Sequence, residues 1–438
     1  MKVCIIGAGV TGLAAGMTSG APLFEQSDGP GGICRSYYLR AGDDVPSDHA
    51  PPGDDAYRFE VGGGHWIFGG DENLLQWLDD LAPLVRYERR AAVRLGETGL
   101  TVPYPLQAHL DRLGPALARQ IESERATRPS DPGAARSLRD WLAQSFGSTL
   151  CDLFFFPFHD RYAAGLSDVV THEDEYKSPV ERAAKSRSAS GLGYNAEFRY
   201  PVGGLDALVG AMAARCDINY GKRLVRLDRR ARVLEFADGS VQTYDTLVST
   251  LPLHRVVELA GVDIAEPPDP FTSVLVLNIG AERGAGCPDV HWQYEPDATS
   301  GFHRIGFYSN VDRSFLPRES RHGARHVALY VERAFRSGEA PSEHEIAEYT
   351  GAVIGELRRR NYIGATHVVS PSWVEVAYTW RTPGSRWRDR ALDALAAEGI
   401  QQAGRYGRWH FQGIADSVRE GLAVGEKLAK NRGSAQAS

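Results

Sequence analysis

The sequence has little cysteine: five residues in 438, at positions 4, 34, 151, 216 and 287, odd in number and without a Cys-x-x-Cys pair. That scatter argues against a disulfide framework and against structural zinc, and suits a reducing, cytoplasmic setting. No apolar run approaches the length needed to span a bilayer, so no integral membrane segment is expected. The net charge of -7 carries no general basic footprint, which argues against a nucleic-acid partner. His159, His254, His291, His303, His322, His326 and His344 show no ligand spacing, so no metal site is expected. There is no internal repeat and no low-complexity stretch before the last few residues. Met1 stands directly before an apolar strand rather than a signal peptide, which predicts that nothing is cleaved. With 42% hydrophobic content the chain can bury a large core and is expected to form two domains.

What is present begins at once, in "MKVCIIGAGVTGLAAG". A short apolar strand, Val3 to Ile6, runs into Gly7-Ala8-Gly9-Val10-Thr11-Gly12 and then into small, apolar, helix-forming residues. In such a turn Gly7 permits the tight bend, Gly9 lets the backbone approach a pyrophosphate, and Gly12 allows close helix–strand packing. The helix N-terminus adds unpaired N–H groups and a positive dipole end for phosphates. Glu25, after "APLF", ends a second strand where a carboxylate can accept from ribose hydroxyls. "GPGGICRS" (29–36) follows directly, where nicotinamide enzymes generally continue differently. Gly31 and Gly32 offer a second close backbone approach, and Arg35 a fixed cation.

Further along, "AGDDVPSDHAPPGDDAYRF" reads as an exposed loop between strands, and "ENLLQWLDDLAPL" as a helix with Asp71 as its N-cap. The region from Leu106 to Asp168 reads as mainly helical, and "FFFPF" as helix core. "SRSASGLGY" reads as a flexible break. "INYGKRLVRLDRRARVLEFADGSVQTYDTLVSTLPL" alternates with period two and turns at Asp238-Gly239. A strand-rich third region precedes an amphipathic helix near "EHEIAEYTGAVIGELRRRNYI". The tail reads as a strand, a glycine-rich turn and a long final helix.

The set "GAGVTGLAAG", "FEQSDGPGGICRS", "YPVGGLDALV", "YDTLVSTLP" and "GRYGRWHFQGIADSVREGLAVGEKLA" resembles the FAD-dependent flavin amine oxidase superfamily. Within it the chain looks most like protoporphyrinogen-oxidase-like proteins and the relatives of UDP-galactopyranose mutase, through "GGGHWIFGGDENLLQWLDDL" and "LTVPYPLQAHL". The resemblance implies an α/β fold: a Rossmann-like FAD-binding domain of the glutathione-reductase type interleaved with a mixed α+β substrate domain. The expected division is FAD-binding at 1–70, 196–262 and 366–438, a mainly helical cap at 71–195, and substrate-domain strands with a helix at 263–365. It also implies roles for residues. Gly7, Gly9 and Gly12 would hold the FAD pyrophosphate and Glu25 the ribose. Gly31, Gly32 and Arg35 would lie against phosphates and flavin. Val225 would meet the adenine through its backbone, Gly404 and Arg405 would cover the pyrophosphate, and Gly413, Ile414 and Ala415 would present N–H groups to the flavin N1/O2 edge. Where the mutases carry a proline–histidine turn, this chain reads Gly64-His65-Trp66-Ile67-Phe68-Gly69.

For the chemistry, His65 and Trp66 are candidates to face the flavin or the substrate, with flanking glycines bringing the backbone close to a planar ring. Arg333, Tyr378 and Arg381, with Arg161 and Tyr162, are candidates to clamp an anionic substrate, because a guanidinium forks onto phosphate and an aromatic ring stacks on sugar or base. His410 lies in the late turn, within reach of cofactor or substrate. The leading expectation is a FAD-dependent oxidoreductase taking a hydride from a polar small molecule, sugar- or nucleotide-linked. The alternatives are a non-redox sugar-ring mutase using reduced flavin as nucleophile, and a flavin-binding partner protein without turnover.

Overall fold

The structure, a computed structural model, describes residues 2–96, 99–127, 135–172 and 196–436. The predicted break "SRSASGLGY" lies outside the described residues. Two sheets organise the rest.

The first sheet is five-stranded and parallel, in the order Ile400–Gln402, Thr246–Ser249, Val3–Ile6, Leu23–Phe24, Ile218–Asn219. Its central strand, Val-Cys-Ile-Ile, is buried along its whole length, as expected for a parallel strand covered on both faces. The helix Val10–Ser19 follows and stops at Gly20, whose left-handed φ of 64° lets its N–H close onto Gly16 O. The last helix, Ile414–Gln436, lies along this first helix. A Cβ at Gly421 would collide with Thr11 O, and one at Gly425 would stand 2.7 Å from Ala15 O, so small residues set that close approach. The two ends of the sequence therefore form one side of the nucleotide fold. An antiparallel three-stranded sheet, Leu224–Asp228, Val233–Phe236 and Val241–Thr243, turns at Gly239 (φ 81°) as its Asp-Gly pair predicts.

The second large sheet has seven strands, in the order Ile363–Thr379, Phe271–Arg283, His326–Arg336, Arg304–Gly306, Trp292–Tyr294, Ala91–Leu95, Leu100–Pro103. Its long central strands alternate. Val274, Val276, Ala328 and Tyr330 face the nucleotide fold, while Leu275, Leu277, Leu329 and Val331 pack with Val353 and Leu357 of the helix Glu343–Arg359. That helix starts with a capping box between Ser342 and Glu345. Asp71 caps the helix Glu72–Leu81 by accepting from Leu74 N.

The structure departs from the expected division in three places. Ala91–Leu95 and Leu100–Pro103, inside the region read as a helical cap, extend the seven-stranded sheet, the first pairing with Trp292–Tyr294 and the second with the first. Leu84–Glu88 pairs with Glu197–Pro201, joining that cap to the segment placed in the nucleotide fold. Ile363–Thr379 runs through the 365/366 boundary as one strand against Phe271–Arg283. Strand pairing between segments far apart in sequence overrides a division drawn from local composition. The cap does hold helices, at Pro115–Thr127, Leu138–Phe146 and Phe156–Tyr162, with Phe154, Phe155 and Phe158 in its core. Among the described residues no helix is long and apolar enough to cross a membrane, and no group of three His, Cys, Asp or Glu side chains is placed to hold a metal.

Candidate active site

The glycine turn closes between the strand Val3–Ile6 and the helix Val10–Ser19. Gly7 has φ 96°, a conformation glycine alone adopts without strain, and its N–H donates to Phe24 O at 2.9 Å. A Cβ at Gly12 would collide with Gly7 O, so position 12 packs the turn and does not face a ligand. Gly9 is different. Its φ of -70° suits any residue, and a Cβ there meets nothing within 4 Å, because it opens into a cavity. The second glycine stretch is stitched to the first: Gly31 N donates to Ala8 O at 2.8 Å, and Gly9 bridges Gly31. Glu25 is buried, accepts from Ala8 N at 2.8 Å and from Ser27 N at 2.9 Å, and braces the turn while lining the cavity.

That cavity has a volume of about 600 Å³. One end is walled by Glu25, Gln26 and Lys222–Leu224, the middle by the glycine turns, Gly404, Arg405, Gly413 and Ile414, and the far end by His65 and an aromatic chamber. The first turn and the last helix thus meet across one cleft. Gly404 has φ 76° and its Cβ would lie 2.6 Å from Thr11 Oγ1, so the late turn presses on the first helix. Arg405 donates from Nη2 to Ala377 O at 2.6 Å and lies among the rings of Tyr378, Tyr406 and Phe411. Its Nε is buried with no hydrogen-bond partner, as is the Tyr406 hydroxyl. Burial pushes the Cys34 thiol, on the same wall, up to about 12, so it stays protonated.

In the chamber, burial together with the Arg405 and Arg304 cations pulls the His65 imidazole down to about 4, against the opposing Gly63 O and Glu332. His65 is therefore neutral near pH 7. Its Nδ1 sits 3.2 Å from Gly63 O and must donate there, which leaves Nε2 as an acceptor. Arg304 and Glu332 form a bidentate pair in the wall. Burial alone would raise Glu332, but Arg304 and His303 hold it well below the usual carboxylate range. Burial raises the Tyr378 hydroxyl, so it remains a phenol. Phe68, Arg89, Tyr104, Trp292 and Tyr294 complete the chamber.

The structure brings together Gly7, Gly9, Glu25, Gly31, Gly32, Gly404, Arg405, Gly413, Ile414, His65, Trp66 and Tyr378 on this one cavity. It corrects other expectations. Arg35 turns away to pair with Asp28 at 3.1 Å and Asp48 at 2.5 Å, and does not line the cavity. The Val225 side chain is 42% exposed, next to the wall formed by Lys222–Leu224, which leaves its expected backbone role open. Ala415 is wholly buried on the inner side of the last helix. Trp66 packs among Phe198, Tyr200, Tyr308 and Phe315, so most of it is core. The glycines beside His65 make room for the protein's own side chains: a Cβ at Gly64 would collide with the Tyr330 hydroxyl. Arg333 lies over the rings of Phe335 and Tyr349, outside the cavity. Arg381 is held by Ser385 O and Asp389, and Arg161 by Pro296 O and Ala298 O. Tyr162 stands behind Tyr378, ring centroids 4.5 Å apart. His410 is exposed and off the cavity wall. Arg304, Glu332, Arg89, Tyr104, Trp292 and Tyr294 were not anticipated.

The profile of the flavin containing amine oxidoreductases matches residues 22–427. The chain belongs to that family. Among curated proteins, none matches the sequence. Solved structures share its fold. One is a reduced UDP-galactopyranose mutase, 22% identical with TM-score 0.79, covering 98% of this chain and 96% of the other. A candidate protoporphyrinogen oxidase from Exiguobacterium sp. 255-15 is 17% identical with TM-score 0.70, covering 98% of each. A putrescine oxidase bound to putrescine is 18% identical with TM-score 0.59, covering 98% and 99%. The protein is an enzyme and its cofactor is FAD. The residues fit that group: an open backbone at Gly9, an Arg405 Nε unpartnered among the described residues, and one cavity joining the glycine turns to the helix start at Gly413 and Ile414 are what a dinucleotide requires.

Proposed function

We propose that this flavoenzyme is an oxidoreductase that takes a hydride from a small polar molecule held in the aromatic chamber. Bound FAD supplies the two-electron acceptor. The turn Gly7–Gly12 and the stretch Gly31–Gly32 would cradle the pyrophosphate, Glu25 the ribose, and Lys222–Leu224 the adenine. Gly413 and Ile414, opening the last helix, would direct N–H groups and a positive dipole end at the flavin edge. His65 offers a neutral acceptor at Nε2 toward a substrate N–H or O–H. Tyr378 and the fixed Arg304–Glu332 pair orient what lies beside it. The aromatic walls exclude water, so the reacting C–H bond is held in a dry, preorganised setting.

The observation that carries this reading is the continuity of the cleft: the glycine turns open directly into the chamber of His65, Arg304, Glu332 and Tyr378. Arg161, Arg333 and Arg381, the cations suited to a nucleotide diphosphate, stand outside it. That favours redox chemistry on a small molecule over ring contraction of a nucleotide sugar. The test is an anaerobic substrate panel read by flavin absorbance. Bleaching by a panel member supports the oxidoreductase. Conversion of UDP-galactopyranose only after prior reduction, with no net redox change, would replace it with the mutase.

A further inference from the structure

Among the described residues, one cation in the chamber has no counter-charge. Arg89 follows the antiparallel ladder of Leu84–Glu88 with Glu197–Pro201, and its backbone N–H is held by Ala196 O at 2.9 Å. Its guanidinium lies over the Tyr104 ring, 5.5 Å from the centroid, with one long bond of 3.4 Å from Nη2 to Tyr104 O. No carboxylate pairs with it among the described residues. Arg86 and Arg90, on the same segment, are paired to Glu197 and Asp289. The buried charges around it are spoken for. Arg304 and Glu332 cancel in their bidentate pair, His65 is neutral, and Arg405 stands at the glycine turns, in the cofactor half.

We propose that the chamber selects a substrate with a single negative charge and a planar, aromatic body, its carboxylate gripped by Arg89 and its rings laid among Phe68, Tyr104, Trp292 and Tyr294. This rests on the reading of the cavity as the substrate chamber of a flavoenzyme. A guanidinium forks onto a carboxylate, and the aromatic wall pays the desolvation of an apolar body. A cationic amine would meet Arg89 and find the buried carboxylate of Glu332 already held at both oxygens by Arg304. A diphosphate carries more charge than one guanidinium neutralises. The family's name is thus a poor guide to this chain's substrate.

The test uses the FAD-loaded enzyme and defined probes: indole-3-acetate and cinnamate as aromatic monoanions, tryptamine and putrescine as cations, and UDP-galactose as a dianion. Binding is followed by calorimetry and by the flavin difference spectrum. The two monoanions are expected to bind and the other three to give no saturable signal. Arg89→Gln should weaken monoanion binding by about 10- to 100-fold at unchanged FAD content, with Arg89→Lys in between. Tryptamine binding as tightly as indole-3-acetate, UDP-galactose binding more tightly than either monoanion, silence from both monoanions, or an Arg89→Gln variant that binds them like wild type would each overturn the proposal. A wild-type protein that retains no FAD would instead overturn the proposed function. Calorimetry, which needs no chromophore, would still compare the probes at Arg89.

Discussion

Arg304 and Glu332 are direct cross-strand partners, and their side chains meet through two hydrogen bonds of 2.8 and 2.6 Å in the wall of the cavity. The pair is nearly dry, Glu332 being 2% exposed, so each charge depends on the other. Removing one side leaves a buried charge without compensation.

Glu332→Gln is therefore expected to destabilise the protein by about 3–5 kcal/mol in urea unfolding. The sign with pH follows from the direction of the shift. Glu332 titrates below its ordinary value in the folded state, so its contribution is complete above about pH 4.3 and is lost as pH falls toward the folded value. The Gln variant should lack that acid-dependent portion. A loss under about 1 kcal/mol would mean the guanidinium is solvated, not buried.

Positions 9 and 12 separate binding from folding. Gly9→Glu should fold, because its backbone suits any residue and its Cβ meets no atom within 4 Å, yet lose FAD by filling the cleft with a bulky negative group. Gly12→Val should lower the stability of the apoprotein itself through collision with Gly7 O. Flavin absorbance per protein and apoprotein unfolding midpoints read the two effects. Normal flavin content in Gly9→Glu would refute the assignment of the turn.

His65 predicts a different pH window. Its folded value near 4 lies below the unfolded value, so the unfolded chain binds more protons between about pH 6.5 and 4. Stability should fall on acidification through that range by at most about 1.4 kcal/mol per pH unit from this group. His65→Gln should flatten the wild-type slope by that share. His254 and His291, both brought down to about 4 mainly by burial, add the same sign and should leave a residual slope in the variant.

Arg333→Ala and Arg381→Ala should leave substrate KM within about twofold of wild type, because neither side chain reaches the cavity. A large rise in KM for either would show that the chamber rearranges when occupied.

The nucleotide half was legible because its constraints are local. A strand, glycines at fixed offsets and an acid at the next strand end leave few conformations, and the small residues of the last helix mark a close contact. The chamber was not legible, because strand register builds it. Arg304 and Glu332 are 28 residues apart and meet only because their strands pair at those positions. The period of two also explains one misplacement. Arg333 follows Glu332 and points to the opposite face of the sheet. The available signal was a charge inside an apolar strand, in "ALYVERAF" and "FHRIGF". An inward charge needs a partner, but the sequence does not say which.

The five-stranded sheet takes strands from both extremes of the chain, and that arrangement fixes when the enzyme can come into being. Ile6 leaves the ribosome roughly 400 residues ahead of Ile400, a wait of roughly 20–80 s at ordinary elongation speeds. Through that interval Leu13 and Ala14 have no final helix to shelter them, and the first glycine turn has no late turn against it. The cavity that lines up Gly7 and Gly9 with Gly404, Gly413 and Ile414 is therefore incomplete until those late residues have been made.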